Sequence, residues 1–259
     1  VRNTPSIVGN VHQMRWNLFI GMQNRVARSF SPFVTVSRSA RNDIAERYGI
    51  DLKKFAVISN GVDTSLFRPL PEIHREKNRV VTTNSADVPL KGLAYLLHAV
   101  AGLKDKRKIR LIVVGTVNKN SRIGRLIQDL GIGDQVSFTG RIDDASFIRE
   151  YARAEVAVIP SVYEGFGLPA AEAMACGVPV ISTSGGALPE VVGDAGVLVP
   201  PADHEALTRA MDDLLGMPTR LAELSQTGLQ RARCYFSWRR TAEKTVRVYK
   251  EAIGDHLRP

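Results

Sequence analysis

Cysteine is nearly missing from this chain: 259 residues contain two, Cys176 and Cys234. They lie far apart with no paired spacing, which excludes a disulfide framework or a zinc site and fits a reducing compartment. No run approaches the roughly 18 consecutive apolar residues of a membrane span. The opening Val1-Arg2-Asn3-Thr4-Pro5 has no apolar core of a secretory leader, so a cytoplasmic location is expected. No Gly-x-Gly-x-x-Gly follows a predicted strand, which argues against a nicotinamide dinucleotide site. Asp143-Asp144 and Asp212-Asp213 are adjacent pairs, never Asp-x-Asp; the first reads as a helix N-cap and the second as a helix surface, so no metal ligands are evident. Internal repeats and low-complexity segments are also absent.

Charge, by contrast, is plentiful and one-sided. Thirty-five basic residues face 26 acidic ones, a net of +9. The bases cluster over 15–28 and 231–250. No nucleic-acid-binding module accompanies them. Two readings stay open: a solvated basic surface, or peripheral contact with an anionic membrane, for which Trp16, Phe19 and Ile20 beside Arg15 and Arg25 are suited.

The most informative stretch is Pro160-Ser-Val-Tyr-Glu-Gly-Phe-Gly-Leu-Pro169, followed by Ala170-Ala-Glu-Ala-Met-Ala-Cys-Gly-Val-Pro179. A flexible turn, Gly165-Phe166-Gly167, opens into a helix expected from Pro169, a residue favoured at the first helical position. Gly177 closes the helix and Val178–Ile181 reads as a buried strand. Such a turn sits at the strand-to-helix edge where open α/β sheets hold ligands. The N–H groups of Gly165, Phe166, Gly167 and Leu168 are free there, and the helix dipole favours an anion such as phosphate. Glu164 and Glu172 flank the same point. They would repel phosphate, but each accepts two hydroxyl protons, which suits vicinal diols. A phosphate cradle between two diol readers describes a nucleotide-sugar.

The rest of the chain alternates strands and helices. A strand over 33–37, a helix over 39–48 and a strand over 55–59 end in the turn Asn60-Gly61-Val62-Asp63. Residues 66–78, polar and carrying Pro69 and Pro71, read as an interdomain linker. Strands follow at 79–83, 109–114, 135–138, 156–159, 178–183 and 196–199, with helices between them and after 203. This pattern predicts an α/β fold with a doubly wound parallel sheet and a partial second α/β domain. The boundaries are 1–70 for the partial domain, 71–236 for the ligand-binding domain and 237–259 for a final helix.

Tyr163-Glu-Gly-Phe-Gly-Leu-Pro169 with Glu172-Ala-Met-Ala-Cys-Gly-Val-Pro-Val180 resembles the donor-site signature of the retaining GT-B glycosyltransferases of family 4, or group 1. The resemblance extends from about residue 16 to the C-terminus. It implies a Rossmann-like GT-B fold and metal-independent transfer of a hexosyl group from a nucleoside-diphosphate sugar to an unidentified acceptor, with no cofactor. Glu164 would hold hexose hydroxyls near the reacting carbon, without acting as a nucleophile, and Glu172 the ribose. Lys91, at a predicted helix start, carries a point charge suited to a diphosphate, and the resemblance puts the family's phosphate-binding lysine there. The family commonly has Gly-Arg five residues earlier; here Ser85-Ala86 stand in that place, so Asn84 and Ser85 supply neutral donors. Gly115 ends a strand and allows close backbone approach. The resemblance puts the base-binding loop around Arg141, and Ser184-Gly185-Gly186 with Pro189-Glu190 along the cleft; Gly185 alone also reads as a turn residue. His12 lies in no matching motif and reads as a surface histidine. Residues 1–70 match only the last third of a GT-B N-terminal domain, so the chain reads as a fragment lacking the acceptor half. The alternative is a non-catalytic, glycosyltransferase-like nucleotide-binding subunit.

Overall fold

The computed structural model describes residues 19–256, apart from 20, 24, 28, 84–87 and 119. His12 therefore lies outside the described residues. Strands β1 (Phe33–Thr35) and β2 (Phe55–Val57) pair in parallel, with Phe33 opposite Phe55. Between them runs α1 (Arg38–Tyr48). Ser37 caps its N-terminus by accepting the Ala40 N–H, and Gly49, at φ 62°, ends it in the left-handed conformation.

A six-stranded sheet holds the rest: β3 (Glu76–Thr83), β4 (Arg110–Val114), β5 (Val136–Phe138), β6 (Ala154–Ile159), β7 (Val180–Thr183) and β8 (Val197–Val199). Its spatial order is β5-β4-β3-β6-β7-β8 and every pair is parallel. This is the doubly wound arrangement, with its topological switch point between β3 and β6. Helices α2 (Leu93–Leu103), α3 (Arg122–Asp129), α4 (Asp144–Arg153), α5 (Leu168–Ala175), α6 (Leu188–Val192), α7 (His204–Leu215) and α8 (Pro218–Tyr235) cover its two faces. Successive residues of one strand serve opposite cores. Val80, Val156 and Val158 pack with Leu96, Leu97 and Met211 on one side. Val81, Ala157 and Ile159 pack with Met174, Leu188 and Val192 on the other. Burial on both faces is why these strands read as continuous apolar runs rather than alternating ones. The last helix, α9 (Trp238–His256), returns to the smaller sheet: Thr241 donates its hydroxyl to the Ser59 carbonyl, and Val62 N–H bonds the Phe236 carbonyl at 2.6 Å. Among the described residues no helix is long and apolar enough to cross a membrane.

Three local expectations need correction. The segment 66–78 is no free linker: Phe67 and Leu70 pack on the core, and Arg75 donates to the carbonyls of Ala154 and Gly177 at 2.8 and 2.6 Å. Its last three residues already belong to β3. They looked polar because Glu76, at the sheet entry, is neutralised by Arg79, Arg110 and Arg153. The signature helix begins at Leu168, with Pro169 in its first turn. Lys91 closes a short 3-10 turn, Pro89–Lys91, ahead of α2 rather than opening the α-helix.

Candidate functional site

Beyond the C-terminal ends of β3, β4, β5 and β6 lies a cavity of about 660 Å³. Thr83, Val114, Gly115, Gly140, Arg141 and Ser161 belong to its wall, as do Lys91 and Glu164. Open α/β sheets place ligands at this edge, beside the switch point.

The backbone explains why Lys91 meets Glu164. Val162 N–H donates to the Leu90 carbonyl at 2.8 Å, tying the 3-10 turn to the end of β6. The next residue, Gly92, has φ 70°, and a Cβ there would stand 1.9 Å from the Pro160 carbonyl oxygen. Only glycine permits that approach. On the far side Gly186, at φ 63°, lies under the Glu164 backbone, where a Cβ would come within 2.3 Å of its carbonyl. Ala187 N–H bonds that carbonyl at 2.8 Å. Two close backbone approaches therefore fix the turn that carries Glu164 and the turn that carries Lys91.

The side chains then pair. Lys91 Nζ donates to Glu164 Oε1 at 2.7 Å, and Ser161 Oγ donates to the same oxygen at 2.8 Å. The Glu164 side chain is 12 % exposed and that of Lys91 31 %. Among the described residues Glu164 Oε2 accepts no hydrogen bond, so one carboxylate oxygen is held while the other is free to take a ligand's hydroxyl. The ammonium keeps two of its three protons.

Glu172 sits one turn along α5 from Pro169, outside the cavity wall. Burial, and then the nearby Asp144 carboxylate, push its pKa up from 4.5 to about 7. Its neighbours are inert as acids. Burial raises Tyr151 well above the usual phenol range, and Tyr151 donates to the Pro169 carbonyl. Burial and Glu172 push the Cys176 thiol up to about 12, which makes it a core residue rather than a nucleophile.

The sequence-predicted residues divide. Lys91, Gly115, Arg141 and Glu164 share the cavity wall. Gly165, Phe166, Gly167 and Leu168 do not line it, although Glu164 and Pro169 on either side do. Phe166 is turned into the core, edge-on to Phe236 at 5.7 Å. What those four residues offer is backbone: none donates in the turn and loop backbone hydrogen bonds among the described residues. Ser85 lies outside the described residues. Glu190 is not on this wall; its carboxylate accepts the N–H groups of Arg38 and Ser39 at 2.9 and 2.7 Å, at the start of α1. Ser161, which steadies Glu164, had no role assigned from sequence, although it stands only three residues before Glu164.

A model of the family described as "Glycosyl transferases group 1" matches residues 70–231, and one described as "Glycosyltransferase Family 4" matches residues 3–66. The chain belongs to the group 1 glycosyltransferases. A relative among curated proteins, the MMP alpha-(1->4)-mannosyltransferase of Mycolicibacterium hassiacum, is 44 % identical over 243 residues, which cover 93 % of this chain and 59 % of that protein. The sucrose-phosphate synthase of Thermosynechococcus elongatus superposes with a TM-score of 0.77 at 28 % identity, covering 91 % of this chain and 62 % of that one. At 21 % identity and a TM-score of 0.76, Anabaena Alr3699/HepE in complex with UDP and glucose shares the fold over 90 % of this chain and 66 % of its own. This glycosyltransferase chain spans little more than half the length of the curated relatives it matches.

Proposed function

We propose that this chain is the donor-binding part of an enzyme that transfers a hexosyl group from a nucleoside-diphosphate sugar, with retention, without metal and without a cofactor. The observation that carries this reading is the Lys91–Glu164–Ser161 cluster in the cavity at the switch point. In this reading the diphosphate lies between the remaining Lys91 protons and the free N–H groups of Gly165, Phe166, Gly167 and Leu168 at the start of α5. Both stabilise the charge that grows on the leaving group. Glu164 Oε2 holds hexose hydroxyls. Glu172 takes the ribose diol, and Gly115 and the backbone around Arg141 meet the base. Ser85 would add a neutral donor to the phosphates. The residue boundaries 1–70, 71–236 and 237–259 are proposed as the remnant of the acceptor domain, the donor domain and the crossover helix.

A reducing, cytoplasmic location fits the two free thiols, Cys176 and Cys234. Peripheral contact with an anionic membrane is supported by the exposed Met22 and Val26 beside Arg25. The test is thermal stability titrated with uridine, guanosine and adenosine diphosphates. One of them is expected to raise Tm in a saturable way. A flat response to all three would overturn the reading, whereas binding without transfer by the intact protein in the presence of acceptor would favour a non-catalytic subunit.

A further inference from the structure

A second cleft, of about 530 Å³, shares no wall residue with the donor cavity. It opens on the seam where α1, β2 and the end of α8 meet α9. Five cationic side chains line it: Arg38, Arg41, Arg231, Arg240 and Lys244. Two of these meet carboxylates. Arg38 Nε is 3.3 Å from Glu190, and Arg231 Nη1 is 4.0 Å from the exposed Asp194. The other three have no carboxylate within ion-pair distance among the described residues. Among the described residues the Arg41 guanidinium donates only to the side-chain amide oxygen of Asn42, and that of Arg240 only to the Cys234 carbonyl.

Two of these cations, Arg231 and Arg240, are held in place. Arg231 donates to the carbonyls of Val191 and Glu190 at 2.7 and 2.9 Å. Its guanidinium stands 5.3 Å from the Tyr235 ring centre, and that of Arg240 5.9 Å from the same ring. Stacked, hydrogen-bonded guanidinium groups lose little freedom when they grip an anion, and their forked N–H groups match phosphate oxygens. Without an anion, the like charges repel one another across the cleft.

We propose that this cleft binds a phosphate-bearing anion larger than inorganic phosphate, bridging α1 to α8 and α9. Whether that phosphate belongs to a soluble molecule or a lipid headgroup, the recognition chemistry is the same. The proposal does not depend on the donor-site reading.

The experiment is the Tm of the purified chain with inorganic pyrophosphate, at constant ionic strength against chloride. Three proteins are compared: the wild type, Lys91→Gln, which alters only the donor cavity, and the double variant Arg41→Gln/Lys244→Gln made in the Lys91→Gln background, so that the donor cavity contributes nothing to the difference. At a hundredfold excess over Kd, a rise of about 5 °C or more is expected for the wild type and for Lys91→Gln. The double variant should lose it. Loss already in Lys91→Gln would assign the anion to the donor cavity and overturn the proposal, as would an equal rise in all three or none in the wild type. Should the double variant fold poorly, Arg240→Gln in the same background, at an exposed position, is expected to reduce the same shift at least threefold; an unchanged shift there counts against the cleft. Flotation with vesicles of phosphatidylcholine alone or mixed with phosphatidylglycerol separates the sources. Cleft-dependent binding to the anionic vesicles assigns a lipid headgroup, and a pyrophosphate response without it assigns a soluble phosphate.

Discussion

At Glu172 a single carboxyl makes stability depend on pH and, in the proposed reading, links it to binding. Its pKa rises from 4.5 to about 7, chiefly through burial. Between those values the folded chain keeps a proton that the unfolded chain has lost. Stability is therefore unaffected below pH 4.5, falls as pH rises through the window, and above about pH 7 is lower by about 3 kcal/mol. Glu172→Gln is expected to remove that loss, so that urea unfolding at pH 8 shows a variant more stable than the wild type by up to about 3 kcal/mol. Equal pH profiles for the two proteins would contradict the burial argument. Hydroxyl donors favour the ionised carboxylate, so ribose binding would expel the proton. Nucleotide affinity should then climb between pH 5.5 and 7, by up to about tenfold per unit, and level off above; in Glu172→Gln it should be weaker and flat.

Glu164 predicts a different split. One oxygen holds Lys91 and Ser161, and the other is free. Replacing it by Gln removes the negative charge beside Lys91 but keeps the shape. Transfer by the intact enzyme is expected to fall by about 10² to 10³, the scale for losing one aligned polar group at a reacting centre. Nucleoside diphosphate affinity should hold within about threefold, because Lys91 keeps its place. Turnover unchanged in Glu164→Gln would remove the assigned role.

Elements place these groups through backbone contacts that sequence reports only as glycine. Gly92 lets the 3-10 turn touch Pro160. Gly92→Ala is expected to cost about 3 kcal/mol or more, at the severe end for single substitutions. Because the turn must move, it should also weaken nucleoside diphosphate binding, measured by calorimetry. An alanine variant with native Tm and native affinity would show that the close approach is not needed. Elements also show what was legible beforehand. A doubly wound parallel sheet followed from apolar runs that alternate with helices, because burial on both faces leaves that mark, whereas the strand order came only with the structure. The start of β3 did not, because Glu76 enters the sheet paired with three arginines and so looks like loop. Glu164 and Lys91 were legible as residues, yet their contact across 73 positions was not. The side chains of Phe166 and Glu190 point away from the cavity, and this was not legible for one reason: sequence tells that a turn reaches the site, not which way each side chain leaves it.

For the whole molecule, the seam between the smaller sheet and the six-stranded domain is polar and specific. Ser37 Oγ donates to the Gly165 carbonyl at 2.7 Å, Tyr163 donates to Asp43, and Glu190 satisfies two orphan N–H groups of α1. The segment around α1 thus grips the turn that follows Glu164. Glu190→Ala is expected to cost about 1–2 kcal/mol, as for a lost N-cap, seen as a lower urea midpoint. The cavity at the switch point should survive, since Glu190 lies outside its wall. Loss of nucleotide binding in that variant would mean that the two regions are not separable.

The central claim is that the cavity between β3 and β6 holds a diphosphate on Lys91. Calorimetric titration of the responding nucleoside diphosphate, and of its monophosphate, into wild type and Lys91→Gln addresses it most directly. The account predicts that the wild type prefers the diphosphate and that Lys91→Gln loses at least about tenfold in diphosphate affinity, the scale of one charge-assisted hydrogen bond. It also predicts little change for the monophosphate. Equal diphosphate affinity in the two proteins would contradict it.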